Sequence, residues 1–162
     1  MKPPIDPNML LSEHFMLGEM LRSRTAETHQ PRPLPNIPLK CHVTALRNLC
    51  QCCLEPTRQH FGLPILVTSG YRCSMLNRLV GGVANSQHLE GEAADITIPR
   101  SRWPFCFTRS EQIARLLFLW MKDSIDFDQL ILEHSGATWW VHVSCRIDRR
   151  KNRHQIINEL TK

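Results

Sequence analysis

The sequence predicts an α+β fold in a single small domain, on three observations. The chain has 162 residues, the ordinary size of one domain. Its first part carries apolar residues at helical spacing. The rest mixes short β-branched runs with helices instead of alternating them regularly. Hydrophobic residues make up 42% and charged residues 22%, which excludes wholesale disorder and fibrous repeats. The expected architecture is a short antiparallel sheet packed against several helices.

Residues 1–11 are expected to form an N-terminal arm, because seven of the eleven prolines lie before Leu39. From His14 to His29 the residues favour a helix, with Phe15, Leu17, Met20 and Leu21 on its apolar side. The stretch QPRPLPNIPL (30–39) cannot continue it, since proline removes a donor and biases its neighbour to extended geometry. From Lys40 to His60, Val43, Leu46, Leu49, Cys50, Cys53 and Leu54 return to helical spacing. Pro56 should kink or restart that helix, and Gly62 suits its end. Pro64–Ser69 reads as a buried strand. Cys73–Val80 holds two helical turns closed by Gly81 and Gly82. Ala94–Ile98 is a strand, with Ile96 and Ile98 facing the core. Thr108–Lys122 is the clearest amphipathic helix, with Ile113, Leu116, Leu117 and Trp120 on one side. Phe127–Glu133 and Trp139–Ser144 are strands around a turn at Ser135 and Gly136. The domain proper spans 12–145, and 146–162 reads as a basic, solvated tail.

The net charge is +5, from 20 Lys+Arg against 15 Asp+Glu. This suits solubility or an anionic partner. Apart from the tail the basic residues are scattered, which disfavours a nucleic-acid partner. No run approaches the roughly 18 apolar residues of a membrane span, so no membrane partner is expected. The opening MKPPIDPNMLLSEHF lacks the order of a secretory signal. Synthesis in the cytoplasm is the expectation. The seven cysteines are odd in number, which argues against a disulfide framework. Reduced, buried thiols are the reading.

The most informative stretch is Ser69–Ile96, SGYRCSMLNRLVGGVANSQHLEGEAADI, which holds four of the seven glycines. His88 and Asp95 are separated by six residues, with Gly91 between them. Two histidines on one helix face would stand four apart, so this spacing points to a loop running into a strand. A catalytic zinc takes three N, O or S ligands and keeps one position open. His88 and Asp95 supply two. In WWVHVS, alternation puts Trp140, His142 and Ser144 on one face. In FDQLILE it puts Phe127, Gln129, Ile131 and Glu133 on one face. With a turn centred near Ala137–Thr138, Glu133 stands directly opposite His142. A carboxylate and an imidazole then share one face of a hairpin, and a buried Glu without a task is costly.

These motifs together, SGYR (69–72), N-x-x-V-G-G (77–82), S-x-H-x-x-G-x-A-x-D (86–95) and Glu133 with W-V-H-V-S (140–144), resemble the zinc D-alanyl-D-alanine carboxypeptidases and murein endopeptidases, a family that includes phage endolysins. HFMLGEMLRSRTA near the start also looks like the opening helix of small members. The resemblance implies one Zn²⁺ held by His88, Asp95 and His142. It implies Glu133 as the base acting on a metal-activated water, and Arg72 as the cation beside the substrate carbonyl or carboxylate. It implies the peptidoglycan stem peptide as substrate and the cell wall or periplasm as the place of action. Ser86 is expected to orient the site by hydrogen bonds or to serve only a turn. Tyr71 is expected beside the site or the substrate. Trp140 is expected to line the groove or pack in the core. One departure stands out: some relatives carry a histidine two positions before the last ligand, where this chain has Trp140. The alternative is a non-catalytic zinc-containing binding module for cell-wall peptide. A monomer is the default.

Overall fold

The computed structural model of the chain describes residues 5–104 and 106–158. The first four residues of the expected arm and the last four of the expected tail lie outside the described residues. The elements in chain order are α1 (Leu17–Leu21), α2 (Arg24–Glu27), α3 (Lys40–Leu49), α4 (Glu55–Phe61), β1 (Leu66–Ser69), α5 (Ser74–Leu79), β2 (Ala93–Thr97), α6 (Ser110–Ser124), β3 (Gln129–Ser135), β4 (Thr138–Ser144) and β5 (Gln155–Asn158). Helices and a five-stranded sheet share one core, so the α+β reading holds. Among the described residues, no helix is long and apolar enough to cross a membrane.

The helix expected over 14–29 is two short ones. Ser23 takes extended backbone, and its hydroxyl accepts from the Ala26 N–H, so a serine caps a fresh start where the apolar pattern alone suggests continuity. The helix from Lys40 runs to Phe61 but widens over Cys50–Leu54 into a π-turn, where the Glu55 N–H reaches back five residues to the Cys50 carbonyl. Pro56 follows directly. It has no N–H to give, so the helix restarts there with the proline in the first turn of α4. Gly62 ends α4 at φ 60°.

The sheet order is β1-β2-β4-β3-β5. All neighbouring pairs are antiparallel except β3 with β5, which run parallel. The sheet is therefore mixed, not antiparallel throughout as the sequence suggested. The run expected as a solvated tail carries β5. Strand β1 is an edge strand whose residues alternate between exposed and half-buried, so it is less buried than its β-branched composition implied.

Alternation sorts the two faces of the sheet. Ala94, Ile96, Leu130, Leu132, Val141 and Val143 point into the core, where α6 covers them with Ile113, Ala114, Leu117, Phe118 and Met121. The stripe on α6 is rotated from expectation: Leu116 and Trp120 are only half-buried, and Trp120 stacks on His60 at 4.3 Å between ring centroids. Burying side chains of this kind stabilises by about 1.5–3 kcal/mol each. The opposite face of the same strands carries Asp95, Gln129, Ile131, Glu133, His142 and Ser144, and a cleft lies over it.

The hairpin register differs from expectation by one pair. Ser135 pairs with Thr138, so the loop is Gly136–Ala137, with Gly136 at φ 58°. A glycine first in a two-residue loop fits a tight hairpin turn. Glu133 therefore faces Trp140, and His142 faces Ile131. Moving the turn by one residue shifts each partner by two positions, so Glu133 and His142 still share a face as diagonal neighbours.

Candidate metal centre

His88 sits in a 3₁₀ turn, Gln87–Glu90, whose entry is capped by Ser86: its Oγ accepts from the His88 N–H at 3.4 Å. Gly91 closes the turn at φ 73°, and a Cβ there would come 2.7 Å from the His42 carbonyl oxygen. Only glycine fits that backbone and that approach. The chain then enters β2, which presents Asp95 opposite His142 of β4. Loop into strand is thus how the two motif residues are spaced.

His88, Asp95 and His142 converge and are 2%, 7% and 7% exposed. His88 Nε2 lies 3.2 Å from His142 Nδ1 and 3.3 Å from Asp95 Oδ1, and His142 Nδ1 lies 2.9 Å from Asp95 Oδ1. Bonds of 2.0–2.1 Å to a tetrahedral zinc place neighbouring ligands about 3.3–3.4 Å apart. The donor types and the triangle they form therefore fit a zinc ion, and all three residues line the cleft.

Two of the ligands are held from behind. His88 Nδ1 donates to the Gly70 carbonyl at 2.6 Å, which fixes the tautomer and leaves Nε2 to the metal side. Asp95 offers Oδ1 to the histidines, while its Oδ2 accepts from Arg72 Nη2 at 2.6 Å. Arg72 is steadied in turn by its Nε–H to Ser69 Oγ at 2.8 Å. Burial would raise the Asp95 carboxyl, but His88 and then His142 outweigh it and hold it far below the usual carboxylate range.

Glu133 is half-buried at the cleft. Trp140 Nε1–H donates to its Oε2 at 2.8 Å. Burial, and then the negative charge of Asp95, push its carboxyl above the ordinary value against the pull of His142 and Trp140. A half-buried carboxylate lining the cleft with the three candidate ligands suits a general base by position.

The cleft encloses about 480 Å³. Of the residues singled out in the sequence, it gathers Arg72, Ser86, His88, Asp95, Glu133 and His142. Trp140 is present through its bond to Glu133. Tyr71 is not part of it: its ring is buried against His42, 4.9 Å between centroids. It shares a motif with Arg72, but adjacent residues of extended chain point opposite ways. Arg72 makes an ion pair with a ligand rather than standing free in the cleft.

Sequence reasoning missed Gln129, Arg146 and Arg153, which also line the cleft. Gln129 was legible from strand alternation. The two arginines were not, since the strand that brings Arg153 back went unread. His14, which showed no ligand-like partner in the sequence, lies with Glu13 and Glu55 in a second cluster. There Glu55 accepts from Ser12 Oγ at 2.7 Å and bonds His14, pinning the N-terminal segment to α4. All seven cysteines are free, with Cys50, Cys53 and Cys145 buried but Cys41 and Cys106 exposed.

A family model described as Peptidase M15 matches residues 13–128. That span includes Arg72, His88 and Asp95 and ends before β3 and β4, so Glu133 and His142 rest on geometry. No curated protein matches the chain.

Proposed function

The chain belongs to the peptidase M15 family, and on that premise we propose that it is a zinc-dependent peptidase cutting peptide bonds in the peptidoglycan stem peptide. One observation carries the reading: three buried ligand atoms lie 2.9–3.3 Å apart, in a cleft that Glu133 also lines. His88 Nε2, Asp95 Oδ1 and His142 Nδ1 would hold the ion. Zinc in that position supplies Lewis acidity to the scissile carbonyl and to the attacking water.

The chain's own residues do the rest. Glu133 takes the proton of the attacking water and returns it to the leaving amine. Trp140 occupies Oε2, which leaves Oε1 for that proton. Arg72 orients Asp95 from behind and adds positive charge near the developing oxyanion. With Trp140 where some relatives have histidine, proton transfer falls to Glu133 alone. The wall or periplasm is the proposed place of action, and a role as an endolysin is one form of it.

The test is mass spectrometry of peptidoglycan digested by the zinc-loaded protein, with a chelated sample and a Glu133→Gln variant alongside. Fragments that vanish on chelation are expected, and their masses name the bond. The variant should lose at least 100-fold in rate, the usual scale for a general base, while still binding one zinc. Undiminished hydrolysis by Glu133→Gln would remove Glu133 as the base. Absence of fragments with zinc bound would favour a binding module for wall peptide.

A further inference from the structure

Asp128 sits just before β3 and is 0% exposed. A buried carboxylate must be partnered, and this one is partnered in excess. Arg153 gives it three kinds of contact: its backbone N–H at 3.0 Å, its Nε at 3.0 Å and its Nη2 at 2.6 Å. Those satisfy both oxygens. Arg146 nevertheless adds its Nε at 3.1 Å. Two guanidiniums thus converge on one carboxylate. Glu92 lies 3.8 Å from Arg146 Nη1, beyond hydrogen-bond reach. Among the described residues, neither terminal nitrogen of Arg146 has a hydrogen-bond acceptor. Both arginines line the cleft, with side chains 34% and 48% exposed.

Their place is set by the strands. On the cleft face of β4, Trp140, His142 and Ser144 stand in successive rows about 7 Å apart, and Arg146 follows. Glu133 occupies the Trp140 row. The arginines are therefore on the other side of His142 from the base. Given the reach of an arginine side chain, one or two extended peptide residues at about 3.5 Å each span the gap.

We propose that Arg146 and Arg153, held in place by Asp128, form a carboxylate-binding wall at the end of the cleft away from Glu133. The substrate is then a peptide that presents a free carboxylate one or two residues from the cut bond. Arg146 keeps both terminal nitrogens for two-point contact with a carboxylate; Arg153, whose Nε and Nη2 are taken by Asp128 and, at 3.4 Å, by Gln87 Oε1, adds its charge and its Nη1. Because Asp128 already fixes both side chains, little rotamer freedom is lost on binding. The carboxylate is either the peptide's C-terminus or an internal side-chain acid, and the same chemistry serves both. The inference rests on the peptidase reading for its substrate, but its test reads binding.

The experiment is calorimetric titration of the zinc-loaded full chain carrying Glu133→Gln, so that nothing is cut. The first probe pair is N-acetyl-lysyl-D-alanyl-D-alanine as acid and as C-terminal amide. The second is a stem-type tetrapeptide amide with its internal glutamate carboxylate free or amidated. In one pair the acid should bind at least tenfold tighter, and that pair names the source. The ratio should fall toward one in Arg146→Gln and in Arg153→Gln. If Arg153→Gln does not fold, Arg146→Gln, which leaves the Arg153 contacts in place, carries the comparison. Ratios near one in both pairs, no binding by any probe, or a preference that survives substitution would each overturn the proposal. Turnover by the unsubstituted chain without an acid preference fails this inference alone. An acid preference without turnover fails the peptidase reading alone.

Discussion

Replacing Gly70 by alanine is expected to loosen the fold and weaken the metal centre together. A Cβ at Gly70 would overlap the Met20 carbonyl oxygen and sit 2.9 Å from Met20 Cα. Both are backbone atoms, so no rotamer change relieves the contact. Ordinary van der Waals separation requires α1 and the Ser69–Tyr71 segment to part by about 1 Å. That movement pulls apart the Tyr71 N–H bond to the same Met20 oxygen, 2.8 Å long. Overpacking costs about 1–3 kcal/mol, and a stranded buried polar group adds a similar amount. The sum of about 2–5 kcal/mol lowers Tm by about 5–15 °C in a domain of this size. The Gly70 carbonyl also holds His88 Nδ1. Losing such a support behind a ligand typically lowers metal affinity 10–100-fold. Calorimetric melting and a zinc titration against a competing chelator measure the two effects. A Gly70→Ala protein with unchanged Tm and zinc affinity would refute the packing of α1 against the ligand-bearing segment.

Two further outcomes follow from the same structure. Burial works against the charge of Asp128, but the bonds from Arg153 and then Arg146 hold its carboxyl down at about 2. Its folded value lies below the unfolded value of about 4. The stability it contributes is therefore complete above pH 5 and is lost as pH falls through 4 toward 2, to a total of about 2 kcal/mol. Denaturant melts across that range should show it, and Asp128→Asn should flatten that part of the curve; an unchanged acid slope would refute the ion cluster. Zinc at 100 times its Kd should raise stability by about 2.7 kcal/mol and Tm by about 5–10 °C. His142→Ala should abolish that increment, and an increment that persists would place the ion elsewhere.

What the sequence made legible, and what it hid, follows from range. Alternation sorted the faces of Gln129–Glu133 and Trp139–Ser144 correctly, because a strand with one wet face and one dry face shows its period directly; Phe127, expected on the Glu133 face, precedes β3 and lies in the core. Gly62 marked a helix end through its own backbone requirement. The His88–Gly91–Asp95 spacing gave a loop into a strand. The hairpin register escaped by one pair, since Ser135, Gly136 and Ala137 offer more than one two-residue loop. Strand β5 escaped because QIIN is short, lies in a basic run and pairs in parallel with a strand far back in the chain. The break at Ser23 looked like ordinary helix. The partner of Arg72 could not be read either: the sequence supplies a cation, and only the fold says that Asp95 receives it. The cleft was therefore visible on its metal side and invisible on its arginine side.

The position of β5 has a consequence for how the protein is made. Synthesis delivers His88, Asp95, Glu133 and His142 before Arg153 and Gln155–Asn158. A nascent chain paused after β4 already contains every proposed metal ligand and the proposed base. It lacks Arg153, the main partner of Asp128, and the strand that carries the chain back along β3. Until those residues leave the ribosome, the Asp128 carboxylate is without its closest contacts and one wall of the cleft is unbuilt. Completion of the cleft thus waits on residues that follow the proposed ligands and base in the chain.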